Sequence, residues 1–128
     1  MDLLLDMHTL IWFFNADEQL STNARNLVAN PTNNCFLSIA SIWEMGIKIS
    51  LNKLELRGNL AQVAQFMAEN SIELLPITFG HVQQLTALPF HHRDPFDRII
   101  IAQALIEQLV LVTKDAVFGQ YRAATVWD

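Results

Sequence analysis

The chain has 128 residues, 52% of them apolar and 16% charged, which suits one compact core and leaves little for a second domain or a disordered tail. Eight Lys and Arg against 13 Asp and Glu give a formal charge of -5, which argues against nucleic-acid binding through a broad basic surface. The lone cysteine, Cys35, excludes an internal disulfide and a cysteine-built metal site.

The opening Met1 to Asp6 carries acids where a signal peptide would carry cations, and no apolar run approaches the roughly 18 residues of a membrane span. The chain therefore reads as a soluble cytosolic domain. Leu3 to Leu5 is a short continuous apolar run, as in a strand buried on both faces, and Met7 to Phe14 follows as a helix. Ser21 or Thr22 caps a second helix that Pro31 stops. Cys35 to Ser38 is a second buried strand, with Cys35 packing as a small apolar residue. Helices are predicted over 40–50 and 60–69, a third strand over 72–77 and a helix over 79–87. A loop spans 88–93, and Pro95 opens a strong helix to about Gln108. Strand 109–113, a short turn or helix at 116–119 and strand 125–127 complete the order. Strands alternating with helices predict an α/β fold: a parallel sheet with helices on both faces and right-handed crossovers.

In such a sheet, strand C-termini and helix N-termini share one edge, where ligands bind. Asp6 follows the first strand, Asp115 follows the fourth, and Asp97 lies in the first turn of the helix opened by Pro95. Each has a plain structural reading, because Asp is a favoured N-cap and suits the positive end of a helix. Asp94, directly before Pro95, reads as the cap of its helix. Glu44 sits about one turn into the helix after the second strand. Ser41, Glu44 and Lys48 form a narrow polar stripe on a helix otherwise apolar almost all round. That stripe fits an exposed Glu44–Lys48 pair, and equally a mostly buried helix turning one carboxylate into a cleft.

Together the four acids say more than each alone. Two like unit charges about 4 Å apart repel by roughly 4 kcal/mol at an effective dielectric near 20. A crevice holding Asp6, Glu44, Asp97 and Asp115 calls for a cation, and oxygen donors suit a hard divalent ion such as Mg²⁺. The histidines show no zinc spacing; His8, His91 and His92 read as surface or loop residues able to approach the crevice. Trp12, Phe13 and Phe14 form an aromatic cluster that suits a core or a contact with another chain, core packing being the default for at least part of it.

Four blocks then resemble a known family: Leu4 to Trp12, Ser38 to Lys48, His92 to Ala104 and Val112 to Asp115 look like the signature blocks of the PIN domain, in family order. The similarity is greatest to the VapC-type ribonuclease toxins of bacterial toxin–antitoxin systems. The resemblance implies a three-layer α/β/α sandwich with a parallel sheet of order 3-2-1-4-5. It also implies an acidic quartet of Asp6, Glu44, Asp97 and Asp115 as catalytic and metal-holding residues. Asp94 is a further acid nearby, and Thr9, Ser38 and Thr113 supply hydroxyls beside the acids. It further implies Mg²⁺ or Mn²⁺ as cofactor, RNA (tRNA or ribosomal RNA) as substrate, a homodimer, and a small antitoxin partner that covers the cleft.

The chemistry expected is metal-assisted phosphodiester hydrolysis, with Glu44 completing the ligand set or orienting the attacking water. Lys48, Arg93, Arg98 and Lys114 lie beside the acidic blocks as candidate phosphate contacts, or as ordinary surface ion pairs. The rival readings are a PIN-like scaffold that binds RNA or protein without cutting, a receiver-like signalling domain and a small-molecule phosphatase. A receiver would want paired acids after the first strand and an Asp after the third, where Pro76-Ile77-Thr78 stands instead.

Overall fold

A computed structural model describes all residues, 1–128. The elements are β1 (Asp2–Leu5), α1 (Met7–Phe14), α2 (Thr22–Ala29), β2 (Asn34–Ser38), α3 (Ile39–Ser50), α4 (Leu60–Glu69), β3 (Ile72–Leu75), α5 (Phe79–Thr86), α6 (Pro95–Glu107), β4 (Val110–Val112), a 3-10 helix (Ala116–Tyr121) and β5 (Thr125–Val126). The five strands are all parallel, in the order β3-β2-β1-β4-β5. The fold is the expected three-layer α/β/α sandwich.

β1 is the central strand because its side chains can leave water on both faces. Leu3, Leu4 and Leu5 are completely buried, and alternation along the strand sends them to opposite sides. Leu3 and Leu5 join α1, α2, α4 and Met45 of α3 in one core; Leu4 joins α6, Leu111, Phe118 and Tyr121 in the other. Cys35 lies in the first core, where burial pushes its thiol pKa up. Phe13 and Phe14 pack edge-on against Phe66 beneath the same face, and Trp12 against Trp127.

The third strand stops at Leu75, two residues short of the sequence expectation. Pro76 has no N–H to extend the ladder, and its carbonyl instead accepts from Gln103 Nε2 at 3.2 Å. α3 departs further, because it is not mostly buried. Ala40, Ser41 and Met45 face inward, while Trp43 is 65% exposed and Ile39, Ile47 and Ile49 also meet solvent. Apolar residues all round a helix here mark two surfaces, one of them uncovered in the monomer. No helix is long and apolar enough to cross a membrane.

Candidate active site

The C-terminal edge of the sheet opens into a cleft of about 420 Å³ lined by Asp6, Glu44, Asp94, Asp97 and Asp115, with Lys48, Lys114, His8, Ser41, Trp12 and Phe96 among its other walls. The four acids, scattered over the sequence, are thus brought to one cavity, and Asp94 lies with them.

Capping and clustering turn out to be one arrangement. Asp6 caps α1, its Oδ1 accepting from the His8 N–H at 2.7 Å. Asp94 caps α6 by accepting from the Asp97 N–H at 2.9 Å, with Pro95 at the first helical position. Asp115 caps the 3-10 helix, accepting from the Val117 N–H at 3.0 Å. Each cap anchors a carboxylate at a helix start, and in this topology those starts share the sheet edge.

Thr113 joins two of them. Its hydroxyl donates to Asp6 Oδ2 at 2.6 Å and accepts from the Asp115 N–H at 3.1 Å. The other expected hydroxyls act at one remove. Thr9 is buried and donates to the Val112 carbonyl at 2.7 Å, fixing the end of β4 beside α1. Ser38 is fully buried and caps α3 by accepting from the Ala40 N–H at 3.0 Å, so it sets the position of Glu44 without touching an acid. Glu44 pairs with Lys48 at 3.0 Å and both line the cleft, so the ion pair and a carboxylate turned into the cleft occur together, on a helix that is not mostly buried.

Asp97 carries the electrostatic signature of the site. Burial, then the neighbouring Asp94 and, more weakly, Asp6 raise its pKa from 3.8 to about 6, although the hydrogen bond from His92 opposes the rise. No three acidic, histidine or cysteine side chains are drawn together as a ready chelate for a bare ion. Carboxylates without a counter-cation repel, and Mg²⁺ typically keeps several waters while taking one or two carboxylates. An all-oxygen donor set spread around an open cleft, with one acid whose pKa is raised by burial and by its like-charged neighbours, fits a hydrated hard divalent ion.

The expected phosphate contacts divide. Lys48 and Lys114 line the cleft, Lys114 lying 5.8 Å from the Trp12 ring. Arg93 is exposed on the loop before α6, outside the cleft lining. Arg98 cannot serve as proposed: it is 5% exposed, its guanidinium donating to the Pro89 carbonyl at 2.8 Å, to the Tyr121 hydroxyl at 3.3 Å and to the Leu88 carbonyl at 3.4 Å, and lying 4.0 Å from the Phe90 ring. It is a core arginine. Among the histidines, His8 lines the cleft and His92 Nε2 lies 3.1 Å from Asp97 Oδ2. The sequence signal for His92 was only its place in the block leading to Asp97.

An all-parallel sandwich with four segments delivering carboxylates to the C-terminal edge of its sheet defines the class. The PIN domain family model matches residues 3–124, and the chain belongs to that family. No curated protein matches it. Among solved structures it is similar to a chain of VapBC2 from Rickettsia felis bound to a promoter DNA fragment, at 18% identity and TM-score 0.77 over 100% of both chains. It is also similar to a chain of a toxin–antitoxin complex from Klebsiella pneumoniae, at 19% identity and TM-score 0.65 over 97% of this chain and 95% of that one. A chain of FitAcB from Neisseria gonorrhoeae gives 19% identity and TM-score 0.66 over 96% and 95%. At these identities the likeness concerns the fold.

Proposed function

We propose that this chain is a divalent-metal-dependent endoribonuclease and the toxin of a toxin–antitoxin pair. The observation that carries the reading is the meeting of Asp6, Glu44, Asp97 and Asp115 in one cleft of a PIN domain. Structural neighbours solved as toxin–antitoxin complexes support the biological setting.

Asp6, Asp97 and Asp115 would hold the ion, directly or through water, with Asp94 beside them. When bound, Mg²⁺ or Mn²⁺ acidifies a water and offsets the charge that builds on the phosphate oxygens. Glu44 completes the ligand set or takes the proton of the attacking water. Lys48 and Lys114 hold flanking phosphates at the rim, and Trp12 offers a ring beside them. Attack by water breaks the P–O3′ bond and leaves a 5′-phosphate and a 3′-hydroxyl, with no covalent enzyme intermediate. With so few cations, recognition of tRNA or ribosomal RNA depends on shape and unpaired bases more than on charge.

The exposed apolar residues of α3, together with Phe79 and Phe90, both over 75% exposed, support a protein that works with others. We assign these exposed apolar residues to contacts with a second copy of the chain and with a small antitoxin that covers the cleft. The non-catalytic scaffold reading is disfavoured because none of the four acids is missing.

The test is digestion of a pooled tRNA and ribosomal RNA sample with Mg²⁺, with Mn²⁺ and with a chelator, followed by end mapping. Metal-dependent cuts bearing 5′-phosphates, absent with Asp97→Asn, support the proposal. Cuts that persist in the chelator, or no cuts with either metal, refute it.

A further inference from the structure

We propose that His92 is a positioning residue for the acidic cleft, an imidazole locked by Tyr121 that fixes how Asp97 presents its carboxylate to a divalent cation. The inference rests on the metal-dependent reading above and assigns a residue and a device to it.

The geometry leaves His92 little freedom. Its Nε2 meets Asp97 Oδ2 at 3.1 Å and its Nδ1 meets the Tyr121 hydroxyl at 2.6 Å. Placing the proton on Nε2 gives the carboxylate a donor: Nε2–H donates to Asp97, and Nδ1 accepts the tyrosine O–H, whose oxygen lies closer to it, at 2.6 Å, than to the His92 carbonyl at 3.3 Å. The tyrosine oxygen then accepts the His92 N–H at 3.1 Å and the Arg98 guanidinium at 3.3 Å. A second-sphere partner of this kind fixes ring tautomer and ligand orientation together. Asp97 keeps Oδ1 free of any protein hydrogen bond, so one carboxylate oxygen is tethered and the other remains for a ligand.

The support behind the ring is rigid. Tyr121 and Arg98 are 4% and 5% exposed. Arg98 also ties down the carbonyls of Leu88 and Pro89, so the irregular segment before α6 is anchored from within. Tyr121 ends the 3-10 helix that Asp115 caps. The clamp therefore spans two acid-bearing elements, and movement of either is felt at Asp97.

Two substitutions separate the two arms of the imidazole. His92→Gln carries an amide nitrogen to the reach of Nε2 and keeps the donor for Asp97. His92→Asn is too short to reach Asp97, while its amide can still meet Tyr121. Calorimetric titration of Mn²⁺ into the metal-free chain should show His92→Asn weakened by about 10–100-fold, the range seen when an outer-sphere partner is lost. His92→Gln should recover most of that affinity, and the rate of cleavage of a tRNA pool should follow the same order. Melting temperatures report folding separately. Should His92→Asn fail to fold, Tyr121→Phe removes only the O–H beneath Nδ1 and should still weaken Mn²⁺ binding several-fold. Wild-type Mn²⁺ affinity in folded His92→Asn or Tyr121→Phe, with Asp97→Asn impaired, would overturn the proposal alone. Wild-type affinity in Asp97→Asn would overturn the metal reading beneath it.

Discussion

Thr113 donates its hydroxyl hydrogen to Asp6 Oδ2 at 2.6 Å across 107 positions of sequence, and Thr113 Oγ1 in turn accepts the Asp115 N–H. β1 and β4 lie side by side in register, Leu5 against Val112, so the residues that follow each strand meet at the sheet edge. Parallel pairing at the centre of the sheet thus sets the spacing of two of the four acids before any ligand arrives.

Thr113→Val keeps the shape of this side chain and removes the bond. A hydrogen bond to a charged group contributes about 1.5–3 kcal/mol, and the variant should lose stability of that order. Thr113→Ser should keep most of it. Urea midpoints of the three proteins at neutral pH make the comparison.

The raised pKa of Asp97 fixes a sign. The folded state binds this proton more tightly than the unfolded chain, so its stabilising contribution is full below about pH 4 and is lost as pH rises to about 6. Metal-free wild type should therefore fall in stability relative to Asp97→Asn across that window, and run parallel to it above. Melting curves from pH 3 to 8 in a chelator, a span chosen to bracket both values, check this; a difference independent of pH would contradict it.

Mn²⁺ should reverse the penalty. Binding to the folded state alone raises stability with metal concentration. Wild type should gain in melting temperature on adding Mn²⁺, and Asp97→Asn should gain much less. A flat response in wild type counts against a metal site in the cleft.

Arg98 and Lys114 should behave oppositely. Arg98→Met removes the guanidinium's bonds to the Pro89 and Leu88 carbonyls and to the Tyr121 hydroxyl, leaving the buried Leu88 carbonyl without that donor, and should cost about 2 kcal/mol of stability. Lys114→Ala sits at an exposed rim and should melt as wild type. If Lys114 holds a phosphate, its loss reduces the salt dependence of RNA binding by about one phosphate contact. Fluorescence anisotropy at several salt concentrations reads it.

The sheet and the acids were legible because both are written in local pattern. Leu3 to Leu5 reads as a strand buried on two faces, and Asp before Met7, Pro95 and Ala116 marks three helix starts on one edge. What stayed hidden depends on partners far away in sequence. Arg93 and Arg98 look alike as letters, yet Arg98 opens the run of α6 buried through Ala104 and finds its acceptors in the preceding loop. His92 likewise gains its meaning from Tyr121, 29 positions later. Trp43, 65% exposed, shows the limit of the pattern on α3, since an apolar helix face says that water is avoided and not whether the cover comes from this chain.

The holding of one divalent ion by Asp6, Asp97 and Asp115 is tested most directly by calorimetric titration of Mn²⁺ into wild type and into Asp6→Asn, Glu44→Gln, Asp97→Asn and Asp115→Asn. Weakened binding in the three Asp variants, with each still folded, is the predicted result, and Glu44→Gln separates a ligand, whose loss weakens binding, from a base, whose loss leaves it unchanged. Wild-type affinity in two or more of the Asp variants would mean that these side chains border the same cavity without holding a common ion.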